Sequence, residues 1–338
     1  GPGSGPGLCR SKAPKPTRDQ VGNGTDAKPA CRSTCRKRGW AMDQEISYRS
    51  GVVLVLAAAV LWSLHALAIR LIGEAGTWQV LFYRSLGMVP VLFLTVTIRS
   101  GGHPFRRIRM AGWPGVIGGT GLVFAFAGAI YAIQVTTVAN AVFLFAAAPL
   151  FTAVMAWLVL REPVRRATWG AIALAGTGMF VMVREGLAIG AGWGNLAAIA
   201  SAAGFSAFTI SLRWGRVANM LPSVLTGGVL SVIVAGAVIA ARGESFALPP
   251  RAIVIAMLMG AFLLAFGLAI YTIGSRVVEA AELGLLSMVE VMLAPVWVWL
   301  ILGEGASIGT FLGGAILLAA IAFNAATGMR HRPPALTT

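Results

Sequence analysis

The chain has 338 residues and a mass of 35.2 kDa, and 57% of its residues are apolar while only 12% are charged. A soluble domain is typically about 25% charged, and the mean hydropathy of this chain is +0.79. The composition predicts an integral membrane protein and excludes soluble enzymes, disulfide-stapled secreted modules and nucleic-acid binders. The net charge of +15 does not change this conclusion, because the basic residues of the body are spread over short loops.

The first 47 residues differ from the rest and are predicted to form a disordered, basic N-terminal tail. All four lysines and all three cysteines of the chain lie in this stretch, which opens with glycine and proline in close succession. Met42 is a candidate native start, and the residues up to about 41 are interpreted as non-native. Cys31 and Cys35 fit a solvated tail better than a metal site, because no second ligand pair accompanies them.

Ten apolar runs follow the tail, each close to the roughly 20 residues that a helix needs to cross a bilayer. The runs lack the alternating pattern of a membrane β-barrel strand, so the predicted fold class is an all-α integral membrane bundle with ten transmembrane helices. The predicted spans are 51–73, 77–98, 111–133, 137–160, 167–183, 193–212, 219–241, 252–273, 279–302 and 308–328.

The placement of arginines predicts how these spans are oriented, because loops on the cytoplasmic side retain Lys and Arg near the span ends. If the N-terminus lies inside, the inner connections hold most of the arginines of the body and the outer connections hold few. Both termini, including the C-terminal tail at 329–338, are therefore predicted to be cytoplasmic. The inner arginines are Arg99, Arg106, Arg107, Arg109, Arg161, Arg165, Arg166, Arg213, Arg216, Arg276, Arg330 and Arg332, and the outer ones are Arg184, Arg242 and Arg251.

A short motif repeats in the two halves of the body. The segment WLVLRE at 157–162 ends the fourth span, and WLILGE at 299–304 ends the ninth. Residues 48–185 and 186–328 then form two five-span repeats, and because five is odd, the second enters the membrane in the opposite direction. Inverted repeats of this kind are typical of carriers with a binding site near the midplane that opens alternately to either side.

This arrangement resembles the EamA-type carriers of the drug/metabolite transporter superfamily over roughly residues 48–328. Besides the closing Trp-Leu-x-Leu-x-Glu motifs, the resemblance includes FYRS at 82–85, APLF at 148–151 and Glu290 in the ninth span. Family members often have Glu-Pro at that ninth-span position, whereas here the proline is displaced to Pro295. The resemblance implies an inner-membrane carrier, frequently an exporter of amino acids or other small metabolites, with a central cavity.

Three side chains within the spans are candidates for the transport chemistry: Glu290, His65 and Trp62. Glu290 and His65 are ionisable, and an ionisable group at membrane depth is costly. Glu290 is a candidate for binding a proton or a substrate ammonium, and a neutral carboxyl that joins two helices is the alternative. His65 lies on nearly the same helical face as Trp62. Together they are candidates for stacking on and hydrogen bonding an organic solute, and a packed histidine bonded to a carbonyl is the alternative. Glu290 and His65 are also the proton-coupling candidates.

Four further residues complete the predicted substrate-binding set. Tyr131 and Tyr271 occupy matching places in the two repeats and are candidate cavity walls, or ordinary members of the interfacial aromatic belt. Asn140 matches Glu282 of the second repeat, with amide bonding between helices as its alternative role. Phe205 is a candidate for apolar cavity surface.

Two arginines near span ends have competing interpretations. Arg84, about a turn and a half into the second span, is a candidate for holding an anionic substrate group. Snorkelling of its side chain to the outer interface explains it almost as well. Snorkelling explains Arg70 even better.

The sequence therefore predicts a secondary transporter that moves small organic metabolites by alternating access. Amino acids, including large neutral and aromatic ones, are the expected substrates, and export is the expected direction. Export of other metabolites or drugs, and uncoupled facilitation, are alternatives. A membrane-embedded enzyme is a distant alternative, because the body has no Asp, no Cys and one histidine in a span. We expect no cofactor and no metal. The expected partners are a small-molecule substrate and membrane lipid, with no nucleic acid and no obligate protein partner.

Overall fold

The computed structural model describes residues 47–188, 192–215, 220–278 and 280–329, and the regular structure within these ranges is entirely helical. The predictions for the tails at 1–47 and 329–338 lie almost wholly outside the described residues. The helices are α1 Tyr48–Ile72, α2 Thr77–Arg99, α3 Pro104–Val135, α4 Val138–Phe145, α5 Ala148–Leu160, α6 Arg166–Ala188, α7 Gly192–Trp214, α8 Leu221–Ala241, α9 Pro250–Leu258, α10 Gly267–Gly274, α11 Ala280–Leu302 and α12 Ile308–Met329, with a π-helical segment Met259–Phe266 between α9 and α10.

Each predicted apolar run corresponds to one of these helices or to consecutive helical elements. Eight stretches of the described chain are long and apolar enough to cross a membrane, and the chain is therefore a multi-span helical membrane protein. The eighth stretch combines α9, the π-helical segment and α10, and the fourth combines α4 and α5. The described apolar parts of α11 and α12, at 288–302 and 308–324, are shorter.

The third helix begins earlier than the sequence predicted, at Pro104 instead of residue 111. The backbone leaves helical geometry at Gly112, where φ is 54° and ψ is −153°, just before Pro114. Residues 104–111 therefore form a short basic helix of their own before the kink, with exposed Phe105 and Met110. The hydropathy pattern missed this segment because its arginines interrupt the apolar run.

Pairs of glycines allow helices to pack backbone against backbone. A Cβ atom placed on Gly121 would lie 2.8 Å from the Gly204 carbonyl oxygen, and the reverse distance is also 2.8 Å, so α3 and α7 touch directly. Gly178 and Gly313 bring α6 and α12 equally close, at 2.6 Å in both directions. Such close contact matters in a bilayer, where helix association depends on van der Waals packing and not on a hydrophobic effect between helices.

Helix α1 runs beside α11 in the same direction. Trp297 Nε1 donates a hydrogen bond to Ser63 Oγ at 2.9 Å. Seven residues further along the chain, Arg70 Nε near the end of α1 lies 3.0 Å from Oε2 of Glu304, which follows the end of α11 at Leu302. The contacts at the Ser63 and Arg70 positions thereby join α1 to α11 and to the residue that follows shortly after α11.

Candidate substrate site

An aromatic pair lies where α1 crosses α10. The ring centroids of Trp62 and Tyr271 are 5.2 Å apart, with the ring planes tilted by 40°. The indole of Trp62 lies against Gly267, where an added Cβ would be only 2.6 Å from Nε1. Trp62 Nε1 is buried and has no hydrogen-bond partner in the described part of the protein. Glycine at 267 therefore makes room for the indole, whose donor remains unused.

His65, one turn after Trp62, contacts a buried arginine of α2. Arg84 Nη1 lies 3.4 Å from His65 Nε2, and it donates to this nitrogen in the tautomer whose proton is on Nδ1. The guanidinium carbon of Arg84 lies 4.2 Å from the ring centroid of Phe126 in α3, which is cation–π distance. The partner of His65 is thus Arg84, not the backbone carbonyl that the alternative interpretation expected.

Arg84 does not snorkel to the interface, so that interpretation was wrong. Its side chain points into the bundle, and the residue is only 2% exposed. The cause is the close approach of the π-helical segment: a Cβ on Gly260 would lie 1.8 Å from the Arg84 carbonyl oxygen. With this backbone contact, the α2 face that carries Arg84 is covered by protein.

Glu290 lies in α11 and is half-buried. It precedes Trp297 by seven residues and therefore lies on the same face of α11, the face that contacts α1. Within the part of the chain that the structure describes, Glu290 forms no hydrogen bond or ion pair. The side chain of Glu282, the other acid of this helix, lies outside the described residues.

Asn140 forms a polar contact between helices. Its Nδ2 donates to Oδ1 of Asn195 in α7, and also to Thr136 Oγ1 at 3.3 Å. All three residues are buried. This geometry agrees with the amide-bonding alternative, and the substrate role of Asn140 stays a prediction. The sequence reasoning missed Asn195, although a lone amide inside the predicted span at 193–212 was a usable signal.

Tyr131 and Phe205 lie away from these contacts. Tyr131 is 38% exposed. The Phe205 ring packs against Phe145 and Phe208, with centroids 5.9 Å from each, and not against Trp62 or Arg84. The structure therefore brings together Trp62, His65 and Tyr271 of the predicted set and adds Arg84 and Phe126.

The glutamates that close the two repeat motifs both form ion pairs with arginines that the sequence reasoning had not paired with them. Arg213 Nη2 of α7 lies 2.7 Å from Glu162 Oε2, and Arg70 of α1 pairs with Glu304. Arg70 therefore does not snorkel. The signal was available in the sequence: the two arginines are separated by almost the same interval as the two glutamates.

The Arg70–Glu304 pair has additional partners. Arg70 Nη2 donates to the Thr136 carbonyl oxygen at 2.8 Å, and Glu304 Oε1 accepts from the Val138 backbone N–H at 2.8 Å. Val138 is the first residue of α4, where a carboxylate is favoured by the helix dipole. The two side chains of this pair are 25% and 23% exposed, whereas those of Arg213 and Glu162 are 48% and 44% exposed.

Comparison with known proteins finds a family similarity in the first half of the body. Residues 49–184 match the model of the EamA-like transporter family. A crystal structure of another protein matches with a TM-score of 0.59 and 21% identity, over 85% of this chain and all of the other; at this identity it supports the fold alone. No curated protein matches the chain. The match covers the first of the two predicted repeats and supports the resemblance to EamA-type carriers of the drug/metabolite transporter superfamily that the sequence predicted.

Proposed function

We propose that this protein is a secondary transporter that moves small organic metabolites across the inner membrane by alternating access. In this proposal, ten transmembrane helices form two inverted five-helix repeats, 48–185 and 186–328, with both termini in the cytoplasm. The family match supports a transporter. The observation that carries the mechanism is the relation between the two ion pairs, Arg70–Glu304 and Arg213–Glu162.

Each ion pair joins one proposed repeat to the other. Glu162 closes the first repeat and binds Arg213 of the second, whereas Glu304 closes the second and binds Arg70 of the first. With the N-terminus inside, the Arg213 pair lies at the inner end of the bundle and the Arg70 pair at the outer end. A carrier that rocks its two repeats against each other must separate them at one end at a time, and one ion pair at each end is suited to that motion.

The outer end is fastened more firmly in this conformation. Beyond the Arg70 pair, Gln79 Nε2 donates to the Ser245 carbonyl oxygen at 2.6 Å, and the Tyr83 hydroxyl donates to the Phe246 carbonyl oxygen at 2.7 Å, and both bonds join the first proposed repeat to the second. The inner pair is half exposed. This difference supports a conformation that is closed to the outside.

Amino acids, including large neutral and aromatic ones, are the proposed substrates, and export is the proposed direction. Trp62 and Tyr271 offer ring surface, and a cation at Arg84 and a carboxyl at Glu290 offer both signs of charge that a zwitterion requires. Glu290 and His65 are the proposed proton-coupling groups. Tyr131, Asn140 and Phe205 stay in the proposed binding set without contacts to this cluster.

Cross-linking across each ion pair tests the mechanism. The native cysteines are Cys9, Cys31 and Cys35, so a cysteine-free parent needs only three tail substitutions. Arg70→Cys with Glu304→Cys, or Arg213→Cys with Glu162→Cys, linked by a short bis-methanethiosulfonate reagent that spans the space left by the two long side chains, should abolish uptake of labelled phenylalanine into proteoliposomes, and reduction of the link should restore uptake.

A matched control keeps the cross-link within one proposed repeat. Arg242 and Glu244 form an ion pair of 3.6 Å in the loop after α8, and the same reagent linking cysteines at these positions should leave uptake unchanged. Full uptake with either inter-repeat link closed would refute alternating access between these halves. The absence of saturable uptake for every amino acid in the reduced parent would refute the substrate assignment.

A further inference from the structure

We propose that Arg84 binds the carboxylate of the transported solute, so that the protein selects small organic acids and zwitterions over amines. This inference rests on the proposed transporter function and names the chemical group that the site recognises. It comes from one observation: a buried cation at membrane depth that has no counter-charge among the described residues.

Arg84 is buried and forms no ion pair with any described residue. It lies about 10 Å along α2 from the start of the helix at Thr77, at 1.5 Å per residue, and it is 2% exposed. The ion pairs among the described residues are those of Arg70, Arg213 and Arg242, and none involves Arg84. A charge in such surroundings is normally paired, and Arg84 is therefore suited to binding an anion.

The unused donors of Arg84 have the geometry that a carboxylate needs. His65 and the ring of Phe126 contact the guanidinium, and neither carries negative charge. Nε and Nη2 are buried and have no hydrogen-bond partner in the described residues. These two nitrogens lie along one edge of the planar guanidinium, and their N–H groups are parallel. That edge binds both oxygens of a carboxylate side by side.

The neighbouring residues suit the rest of an aromatic or large neutral solute. Trp62 lies one turn from His65 on the same face of α1, its ring contacts Tyr271, and its Nε1 donor is also unused. Gly260 and Gly267, on the helix opposite, carry no side chains into this region. A phosphate dianion fits less well, because it requires more positive charge than one guanidinium supplies. Among the described residues that contact the guanidinium of Arg84, His65 is the one that can also carry a positive charge.

Matched analogues of one amino acid test the inference. The assay is uptake of labelled phenylalanine by the full chain in proteoliposomes, in competition with phenylalanine, 3-phenylpropionate, phenylalanine amide and phenethylamine. We expect the first two to compete and the last two, which lack the carboxylate, to be at least about tenfold weaker. In Arg84→Gln that preference should disappear. Arg84→Lys, which keeps the charge and loses the paired N–H edge, should show an intermediate preference.

Arg99→Gln is the control variant, because Arg99 lies at the opposite end of the same helix and should keep the wild-type preference. Equal competition by phenethylamine and phenylalanine in the wild type would overturn the proposal, and so would an unchanged preference in Arg84→Gln. If Arg84→Gln does not fold, the wild-type panel and Arg84→Lys still decide the question.

A binding measurement separates this inference from the transport proposal. The same four compounds are added to the purified wild-type protein in detergent, and the Tm is recorded. If no compound is transported but the two carboxylates raise the Tm and the amines do not, the transporter proposal fails and the carboxylate site stands. If the carboxylates raise the Tm no more than the amines do, the carboxylate site is refuted.

Discussion

The Arg70–Glu304 pair, the outer one in the proposed orientation, is expected to contribute more to stability than the Arg213–Glu162 pair, the inner one, although both contain equivalent motif glutamates. In the outer pair, Arg70 and Glu304 are about three-quarters buried, and the carboxylate also accepts from the Val138 N–H. A hydrogen bond to a charged group contributes about 1.5–3 kcal/mol when well shielded. Allowing for the partial exposure, we expect a coupling energy of about 1–2 kcal/mol between the two side chains.

The inner pair sits in a different environment. Arg213 and Glu162 are nearly half exposed, and among the described residues their side chains contact each other alone, at 2.7 and 2.8 Å. Pairs this exposed contribute about 0–1 kcal/mol. Added salt should weaken this coupling further, because exposed charges are screened within roughly a Debye length.

Two double-mutant cycles measure the difference. Arg70→Gln, Glu304→Gln and the double variant form one cycle, and Arg213→Gln, Glu162→Gln and their double form the other. Unfolding in detergent is followed by tryptophan fluorescence, and the coupling energy is the departure from additivity. An inner coupling equal to or larger than the outer one, at the same ionic strength, would refute the argument from burial.

Three other substitutions test the packing. Gly313→Ala should destabilise the protein by about 1–3 kcal/mol because its Cβ would lie 2.6 Å from a carbonyl oxygen of α6, whereas Gly176→Ala, with nothing within 4 Å, should not; equal Tm values would contradict this. Asn140→Ala should cost about 1–3 kcal/mol by leaving a buried amide unpaired, and adding Asn195→Ala should cost less than the sum of the single changes; strict additivity in thermal unfolding would argue against the bond. Ser63→Ala should lower stability by about 0.5–1.5 kcal/mol and shift tryptophan emission, because an indole of α11 loses its acceptor; an unchanged Tm would count against it.

The positions of the helices follow closely from the sequence, because hydropathy alone decides which segments lie in lipid. The run predicted at 77–98 became the helix Thr77–Arg99, and the run at 308–328 became Ile308–Met329. The π-helical segment Met259–Phe266 could not be predicted in this way. It lies where Gly260 meets the backbone of α2, a contact between elements distant in the sequence.

The candidate site was predictable only in part. The spacing of Trp62 and His65 correctly placed both on one face of α1, since residues three apart are neighbours on a helix. That spacing carries no information about which helices cover this face. Arg84 was therefore judged by its depth alone, and its burial became visible only when the α2 contact with the π-helical segment was known.

The unequal ion pairs have a consequence for the proposed alternating-access cycle. If the outer pair is stronger by about 1 kcal/mol, the outward-closed conformation is favoured by about fivefold over its mirror state before any solute binds, since 1.4 kcal/mol is tenfold. A solute can reverse this preference only through contacts that differ between the two states. Arg84 is suited to that role because its unpaired charge gives an anion a strong contact deep in the bundle, and its backbone touches the helix that also carries Gly267 beneath Trp62. A carboxylate bound at the guanidinium edge would move α2 together with the helical stretch that carries Gly260 and Gly267. Because α2 belongs to the first proposed repeat and that stretch to the second, binding would change the contact between the two repeats.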